Sequence, residues 1–420
     1  MSQNKDGAYK FSPTLTVPIG PFHAALKEPI GINITVDGEE IVGVDIRNGF
    51  NYRGIEWLSL RRNWIQTIYL AEKICGICSH TQPFCFVQAT EDACEFEVPE
   101  RADYIRVIIG ELERIHSHFL WAGVTGYSIG YDSILHIAWQ MRERVMDLFD
   151  YISGNRIHYA MNMVGGVRRD IEERHADKIK KDLEYYKSQV DKLIEIFLHD
   201  ITIEKRLANS GILSKKQGLE LCVAGPVARG SGIRKDVRQD EGHAAYGDIG
   251  VKAIVPQDLY GTPKGSIFDR AMVRLHELKL SLRIIDDALD MMPNGDILTE
   301  KNPIKIINKL KRATGYGIGR HEGSRGEAIN YVCAEKSDKP ILWKSKTPSI
   351  SNVQGYVPMM IGSQIADVSV IITSIDPCFS CTDRVAIINE KDDSIKVLSE
   401  QDLLNLSIKK TKELNLNGLK

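Results

Sequence analysis

The sequence predicts a mainly α (α+β) fold: a central bundle of long helices, a small N-terminal β-sheet and a short strand pair near the C-terminus. Three observations carry this expectation. Apolar residues recur at helical spacing in long stretches between residues 57 and 292. Two runs rich in β-branched residues sit close together near the N-terminus, separated by a turn signal. Short β-rich runs return after residue 327.

In chain order, Pro18-Ile19-Gly20-Pro21-Phe22-His23 is an extended, turn-rich segment leading to Glu28-Pro29. Ile32–Val36 and Ile41–Ile46 then form a hairpin around Asp37-Gly38-Glu39-Glu40. A helical pattern from Trp57 to Ile74 delivers Cys75 and Cys78 at its end, with Gly76 suited to a left-handed helix terminus. Pro99 and Glu100 open a helix whose Ile105, Ile108, Ile109, Leu112, Ile115 and Phe119 fall on one face. Ser133–Ile152 repeats that period and stops before Gly154. Asp170–Leu198 is longer and amphipathic, and Ser266–Met292 ends at Pro293-Asn294-Gly295. Gly225–Gly232 is rich enough in glycine to predict a loop. Strands are expected at Ala328–Ala334 and Pro340–Trp343, and a last helix near Gln364–Ile372. Beyond residue 384, Val385–Asn389 and Ile395–Leu398 predict a hairpin, followed by a helix carrying Leu403, Leu404, Leu406 and Ile408. No repeat or linker interrupts residues 1–384, so one interlocked domain is expected there, with 385–420 as a C-terminal extension.

Composition narrows the class. With 43% hydrophobic and 26% charged residues, the chain has the make-up of a globular protein. A net charge of −2 provides no basic field for nucleic acid. The start, Met1-Ser2-Gln3-Asn4-Lys5-Asp6, lacks the apolar core of a signal peptide, and no apolar run reaches the roughly 18–20 residues of a bilayer span. A cytoplasmic location and free thiols among the eight cysteines are expected.

Four of those cysteines form two pairs, Cys75-x-x-Cys78 and Cys378-x-x-Cys381. Two thiolate pairs make a complete first shell for a soft metal. A structural zinc is one reading. Zinc ribbons, however, place their pairs roughly 15–20 residues apart, to staple a small local fold. Here most of the chain lies between the pairs, which suits a centre used for chemistry. Cys85, Cys94, Cys222 and Cys333 are expected in the core.

Five motifs carry a family resemblance: Arg53-Gly-Ile-Glu56, Cys75-Gly-Ile-Cys78, Gly225-Pro-Val-Ala-Arg-Gly-Ser-Gly232, Glu322-Gly-Ser-Arg-Gly-Glu327 and Asp376-Pro-Cys-Phe-Ser-Cys-Thr-Asp-Arg384. In this order they resemble the large, catalytic subunit of membrane-bound, energy-converting (group 4) [NiFe]-hydrogenases, related to the 49 kDa-type subunit of complex I. The complex I relatives lack the paired cysteines. The resemblance implies that Cys75 and Cys378 are terminal nickel ligands, and that Cys78 and Cys381 bridge nickel to an iron carrying carbonyl and cyanide. It implies Glu28 as a proton gate, Arg325 over the open metal position, and Asp376 as its orienting partner. Arg53 and Glu56 resemble a buried pair near the site.

Two departures stand out. Gln82 occupies a position where hydrogenases often have a histidine, so a hydrogen bond to sulfur falls to Gln82, to His80, or to neither. Arg384 replaces the histidine that ends the second motif in many soluble relatives. His116 and His118 are expected as satisfied core or interface histidines. The implied partners are a small iron–sulfur subunit holding all 4Fe-4S clusters, antiporter-like or complex I-like membrane subunits, ferredoxin indirectly, and a maturation protease that removes the extension after Arg384. The implied place is peripheral, on the cytoplasmic face of the membrane. A complex I-like or sulfur-reductase relative and a zinc-binding structural subunit are the alternatives.

Overall fold

The computed structural model describes residues 2–3, 9–10, 14–22, 26, 28–382 and 400–413. The chain divides into two compact units, residues 1–383 and 384–420. Arg384 and the hairpin expected at 385–398 lie outside the described residues.

The N-terminal sheet has three antiparallel strands, β1 (Thr14–Ile19), β2 (Gly31–Asp37) and β3 (Glu40–Arg47), in sequence order. Asp37 pairs with Glu40 across the expected hairpin, and Gly38 takes the left-handed conformation the tight turn needs. Ile32, Ile34 and Val36 alternate inward and join the main core.

The single helix expected from Trp57 to Ile74 is two helices, α1 (Ile55–Ser59) and α2 (Trp64–Glu72). Asn63 breaks the pattern because it caps α2: its side chain accepts from the Gln66 N–H at 2.8 Å while the Gln66 side chain accepts from the Asn63 N–H at 3.2 Å. Gly76 is not left-handed. Its missing side chain instead leaves room for Ile157, which would touch an added Cβ at 3.4 Å. Helix α3 (Thr81–Cys94), which no sequence period announced, is buried on nearly every face. A helix enclosed on all sides carries no amphipathic stripe to read.

The body is formed by α4 (Glu100–Ser128), α5 (Asp132–Ser153), α6 (Glu173–His199), α7 (Gly225–Gly230) and α8 (Ile267–Met291). Helix α4 is central: it packs on α5 and α8, and its Ile105, Ile108, Ile109, Leu112, Ile115 and Phe119 lie in the core as their spacing predicts. Segment Gly225–Gly230 is a buried helix and not the expected loop. Its glycines serve packing: a Cβ on Gly230 would stand 2.6 Å from Cγ and 3.0 Å from the backbone N of Arg270 on α8.

The C-terminal strands are three, β4 (Thr314–Gly323), β5 (Gly326–Glu335) and β6 (Leu342–Lys346), antiparallel in the order β6-β5-β4. Strand β4 lies directly on α3. A Cβ on Gly319 would be 2.0 Å from the Cys85 carbonyl oxygen, and one on Gly317 would be 2.1 Å from that of Ala89. Glycine at alternate strand positions thus lets sheet backbone touch helix backbone, fixing α3 and the turn before it. Helix α9 (Val368–Ile375) then packs on α4 and leads into the second cysteine pair. In the second unit, α10 (Glu400–Glu413) is the expected helix.

Candidate metal centre

The two cysteine pairs, 300 residues apart in sequence (378 − 78), meet in space. Cys75 and Cys78 lie in the turn between α2 and α3. Cys378 and Cys381 lie in the short 3₁₀ turn after α9. All four thiols are buried. The sulfurs of Cys75, Cys78 and Cys381 lie within 4.8 Å of one another, and Cys378 Sγ is 3.0 Å from Cys381 Sγ. Hydrogen bonds from the Cys378, Cys381 and Cys78 thiols hold the Cys75 thiol well below its ordinary range, against the effect of burial. Contacts with Cys378, Cys75 and Cys78, together with burial, push the Cys381 thiol well above it. A soft cation among the four sulfurs would favour the thiolate form of all four.

Beside the sulfurs is a cavity lined by Cys78, Thr81, Gln82, Ser324, Arg325 and Ser349, among others. Arg325 sits in the two-residue turn between β4 and β5 and is buried, not exposed as a loop arginine ordinarily would be. Its Nε donates to the Asp376 carbonyl at 2.7 Å, and its Nη2 lies 3.0 Å from Asp376 Oδ2. Burial opposes the charge, but Asp376 and the Cys378 and Cys75 thiols hold the guanidinium well above its ordinary pKa. The turn is locked from behind. Gly225 and Gly326 approach so closely that a Cβ on Gly225 would fall 2.4 Å from the Arg325 carbonyl oxygen, which also accepts from Asn352 Nδ2 at 3.3 Å. Ser324 Oγ and Arg325 Nη1 have no hydrogen-bond partner among the described residues. Both residues line the cavity, so two buried donors lie at its wall with no acceptor among the described residues.

Glu28 reaches the same place from the N-terminal sheet. Its Oε2 accepts from the Ser380 N–H at 3.0 Å and its Oε1 accepts from the Ser380 hydroxyl, between the two C-terminal cysteines. Glu28 is half-buried, whereas the four thiols are buried. Gln82 lines the cavity and accepts from Ser345 Oγ at 3.1 Å. His80 points elsewhere, its Nδ1 3.1 Å from Asn162 Nδ2 and its ring against Phe84. Arg53 and Glu56 are not the buried pair their motif suggests. Arg53 is exposed and donates to the Lys73 and Ile74 carbonyls at 2.7 and 2.6 Å, bracing the chain just before Cys75. Glu56 accepts from Lys344 Nζ at 3.0 Å and the Ser345 N–H at 3.1 Å. Both histidines of α4 are buried. His118 Nε2 pairs with Glu277 at 2.8 Å, while neither ring nitrogen of His116 has a partner among the described residues. Cys222 is exposed and Cys333 half-buried, so of the four remaining cysteines only Cys85 and Cys94 are core residues.

Three polar residues near the centre went unnoticed in the sequence. Ser349 Oγ accepts from the Cys378 N–H at 3.2 Å, and Thr347 donates to the Cys381 carbonyl at 2.8 Å, so both secure the second cysteine turn. Glu113 on α4 accepts from the His80 and Thr81 N–H groups at 2.5 and 3.2 Å, securing the first. Only the last had a signal, an acid among apolar residues on a buried helix face.

A helical body bringing two distant Cys-x-x-Cys turns to one buried cluster defines a candidate centre for a soft metal. Comparison with known proteins makes this specific. The family described as "Respiratory-chain NADH dehydrogenase, 49 Kd subunit" matches residues 128–384, and "Nickel-dependent hydrogenase" matches residues 53–122. The chain is 48% identical to "Membrane-bound hydrogenase subunit alpha" of Pyrococcus furiosus over 96% of its own length and 94% of that protein. It is 34% identical to "Carbon monoxide-induced hydrogenase" of Rhodospirillum rubrum, covering 88% of this chain and 99% of the relative. A chain from the solved membrane-bound sulfane sulfur reductase, an archaeal respiratory membrane complex, superposes with a TM-score of 0.82 at 29% identity, covering 90% of this chain and all of that one. The chain belongs to the family of large subunits of membrane-bound, energy-converting [NiFe]-hydrogenases, related to the complex I 49 kDa subunit.

Proposed function

We infer that this chain is the catalytic subunit of a [NiFe]-hydrogenase that interconverts dihydrogen with protons and electrons. The observation that carries the inference is the convergence of four buried thiols beside a cavity bordered by a held arginine and two unpartnered donors. Cys75 and Cys378 would hold nickel, and Cys78 and Cys381 would be shared with iron. When bound, such a centre polarises dihydrogen for heterolytic cleavage. The chain's own groups do the rest. Arg325, fixed by Asp376, presents positive charge and a free Nη1 donor to the cavity, where negative charge in transit is stabilised. Ser324 Oγ and Arg325 Nη1 are positioned to donate to small anionic or diatomic ligands, the chemistry of iron-bound cyanide and carbonyl. Glu28, hydrogen-bonded to Ser380 beside both C-terminal cysteines, would take a proton there and pass it outward.

Electrons need a separate exit. Among the described residues, the cysteine cluster is the one group of candidate metal ligands, so iron–sulfur clusters would belong to a small partner subunit. No helix among the described residues is long and apolar enough to cross a membrane. The names of the relatives speak of membrane-bound complexes and support peripheral attachment to a membrane module. Antiporter-like or complex I-like membrane subunits, the cytoplasmic face and an indirect link to ferredoxin are our proposal for that attachment. The fold likeness to a sulfur reductase favours one alternative, a reductase working without nickel. Replacing Cys75, Cys78, Cys378 or Cys381 singly by Ser decides between them. Each variant should lose both nickel and hydrogen turnover. Turnover near the wild-type rate in any of the four would reject the ligand assignment, and active wild-type protein without nickel would favour the reductase.

A further inference from the structure

Glu113 stands apart from the other buried acids of the bundle. Glu111 meets Arg114 and Arg238, while Glu277 and Glu322 both meet Arg229. Among the described residues, Glu113 has no cationic side chain within 4.0 Å, although it is buried. Its partners are three donors at the first turn of α3: the His80 N–H, the Thr81 N–H and the Thr81 hydroxyl, which donates to Oε1 at 2.5 Å. These bonds favour the carboxylate, but burial outweighs them and pushes the carboxyl up to about 7. A buried carboxylate without a counter-charge is stabilised by taking up a proton. Thr81 is also a wall residue of the metal cavity, so one side chain links that wall to Glu113.

We propose that Thr81 and Glu113 form a second proton-holding site for the metal cavity, entered on the α3 side and separate from the Glu28 route beside Ser380. It rests on the hydrogenase reading, which supplies a proton in the cavity. That proton bonds to a lone pair of Thr81 Oγ1 as the hydroxyl's own proton crosses to Glu113 Oε1. Threonine stays neutral, and the carboxylate becomes a neutral carboxylic acid. Reversing both transfers returns the proton to the cavity. Glu113 acts only through Thr81.

Infrared difference spectroscopy of the nickel-loaded complex, hydrogen minus argon, tests this directly. A carboxylic acid C=O band that shifts in D2O should appear in wild type and in Glu28→Gln, and should be absent in Glu113→Gln. Thr81→Val should lose it while keeping its nickel, and Thr81→Ser should restore it. The same band in Glu113→Gln, or an undiminished band in Thr81→Val, would overturn the proposal. Metal-ligand bands in the same spectra separate the two levels. If they respond to hydrogen while the acid band ignores both substitutions, the second site alone fails. If they never respond, the hydrogenase reading fails with it.

Discussion

Asp376→Asn isolates what the arginine over the cavity depends on. Asp376 is left-handed (φ 55°) at the end of α9, a conformation asparagine tolerates, so the backbone should hold. Arg325 keeps its 2.7 Å bond to the carbonyl of residue 376 but loses the carboxylate 3.0 Å from Nη2. Removing one partner of a buried pair costs roughly 3–5 kcal/mol, and the surviving bond places the loss near ~3 kcal/mol. At roughly 2.1 cal/mol/K of unfolding entropy per residue, a chain of 420 residues should melt about 3 °C lower. Asp376→Ala adds left-handed strain of about 1–2 kcal/mol and should fall further. Equilibrium denaturant midpoints of both variants, of Arg325→Met and of the Arg325→Met/Asp376→Asn double variant give the coupling energy. A coupling of ~2 kcal/mol or more is expected. An Asp376→Asn variant within ~0.5 kcal/mol of wild type would refute the claim that this carboxylate compensates the buried guanidinium.

Two further outcomes test the scaffold and its maturation. Gly319→Ala places a Cβ 2.0 Å from the Cys85 carbonyl oxygen, so it should destabilise by at least ~1–3 kcal/mol and reduce nickel content by shifting α3; an unchanged denaturant midpoint would show that β4 does not need that close approach. If the extension holds the second cysteine turn accessible during metal loading, intact-mass analysis of active, nickel-loaded protein should find the chain ending at Arg384, whereas a chain still ending at Lys420 rules cleavage out.

Much of this was legible in the sequence because periodicity reports one-sided burial. Helices α5 and α6 and the second half of α8 each set a buried face against a more exposed one, and β2 and β3 alternate or turn at the expected glycine. Helix α4 is buried nearly all round, and its length and regularly spaced isoleucines made it legible. Helix α3 and strand β4 were missed for one shared reason. They are packed backbone to backbone, so glycine replaces the β-branched residues that mark a strand, and burial all round erases the helical stripe. The same physics turned the glycine-rich Gly225–Gly230 segment into a helix. The cysteine pairs announced themselves by spacing. Glu28 and Arg325 needed family context, since alone a glutamate before proline and an arginine between glycines suggest surface. Their burial comes from distant partners, Ser380 and Asp376, that no local pattern reveals. Arg53 and Glu56 misled because adjacency within a motif does not make two charges a pair.

On the hydrogenase reading the four cysteines hold nickel together with an iron bearing diatomic ligands. Infrared spectroscopy of the purified complex, with metal analysis of the same sample, tests it most directly. Nickel and iron in equal amounts in this subunit, with the sharp bands of metal-bound carbonyl and cyanide, are the predicted result. A single zinc per chain and no such bands would contradict it.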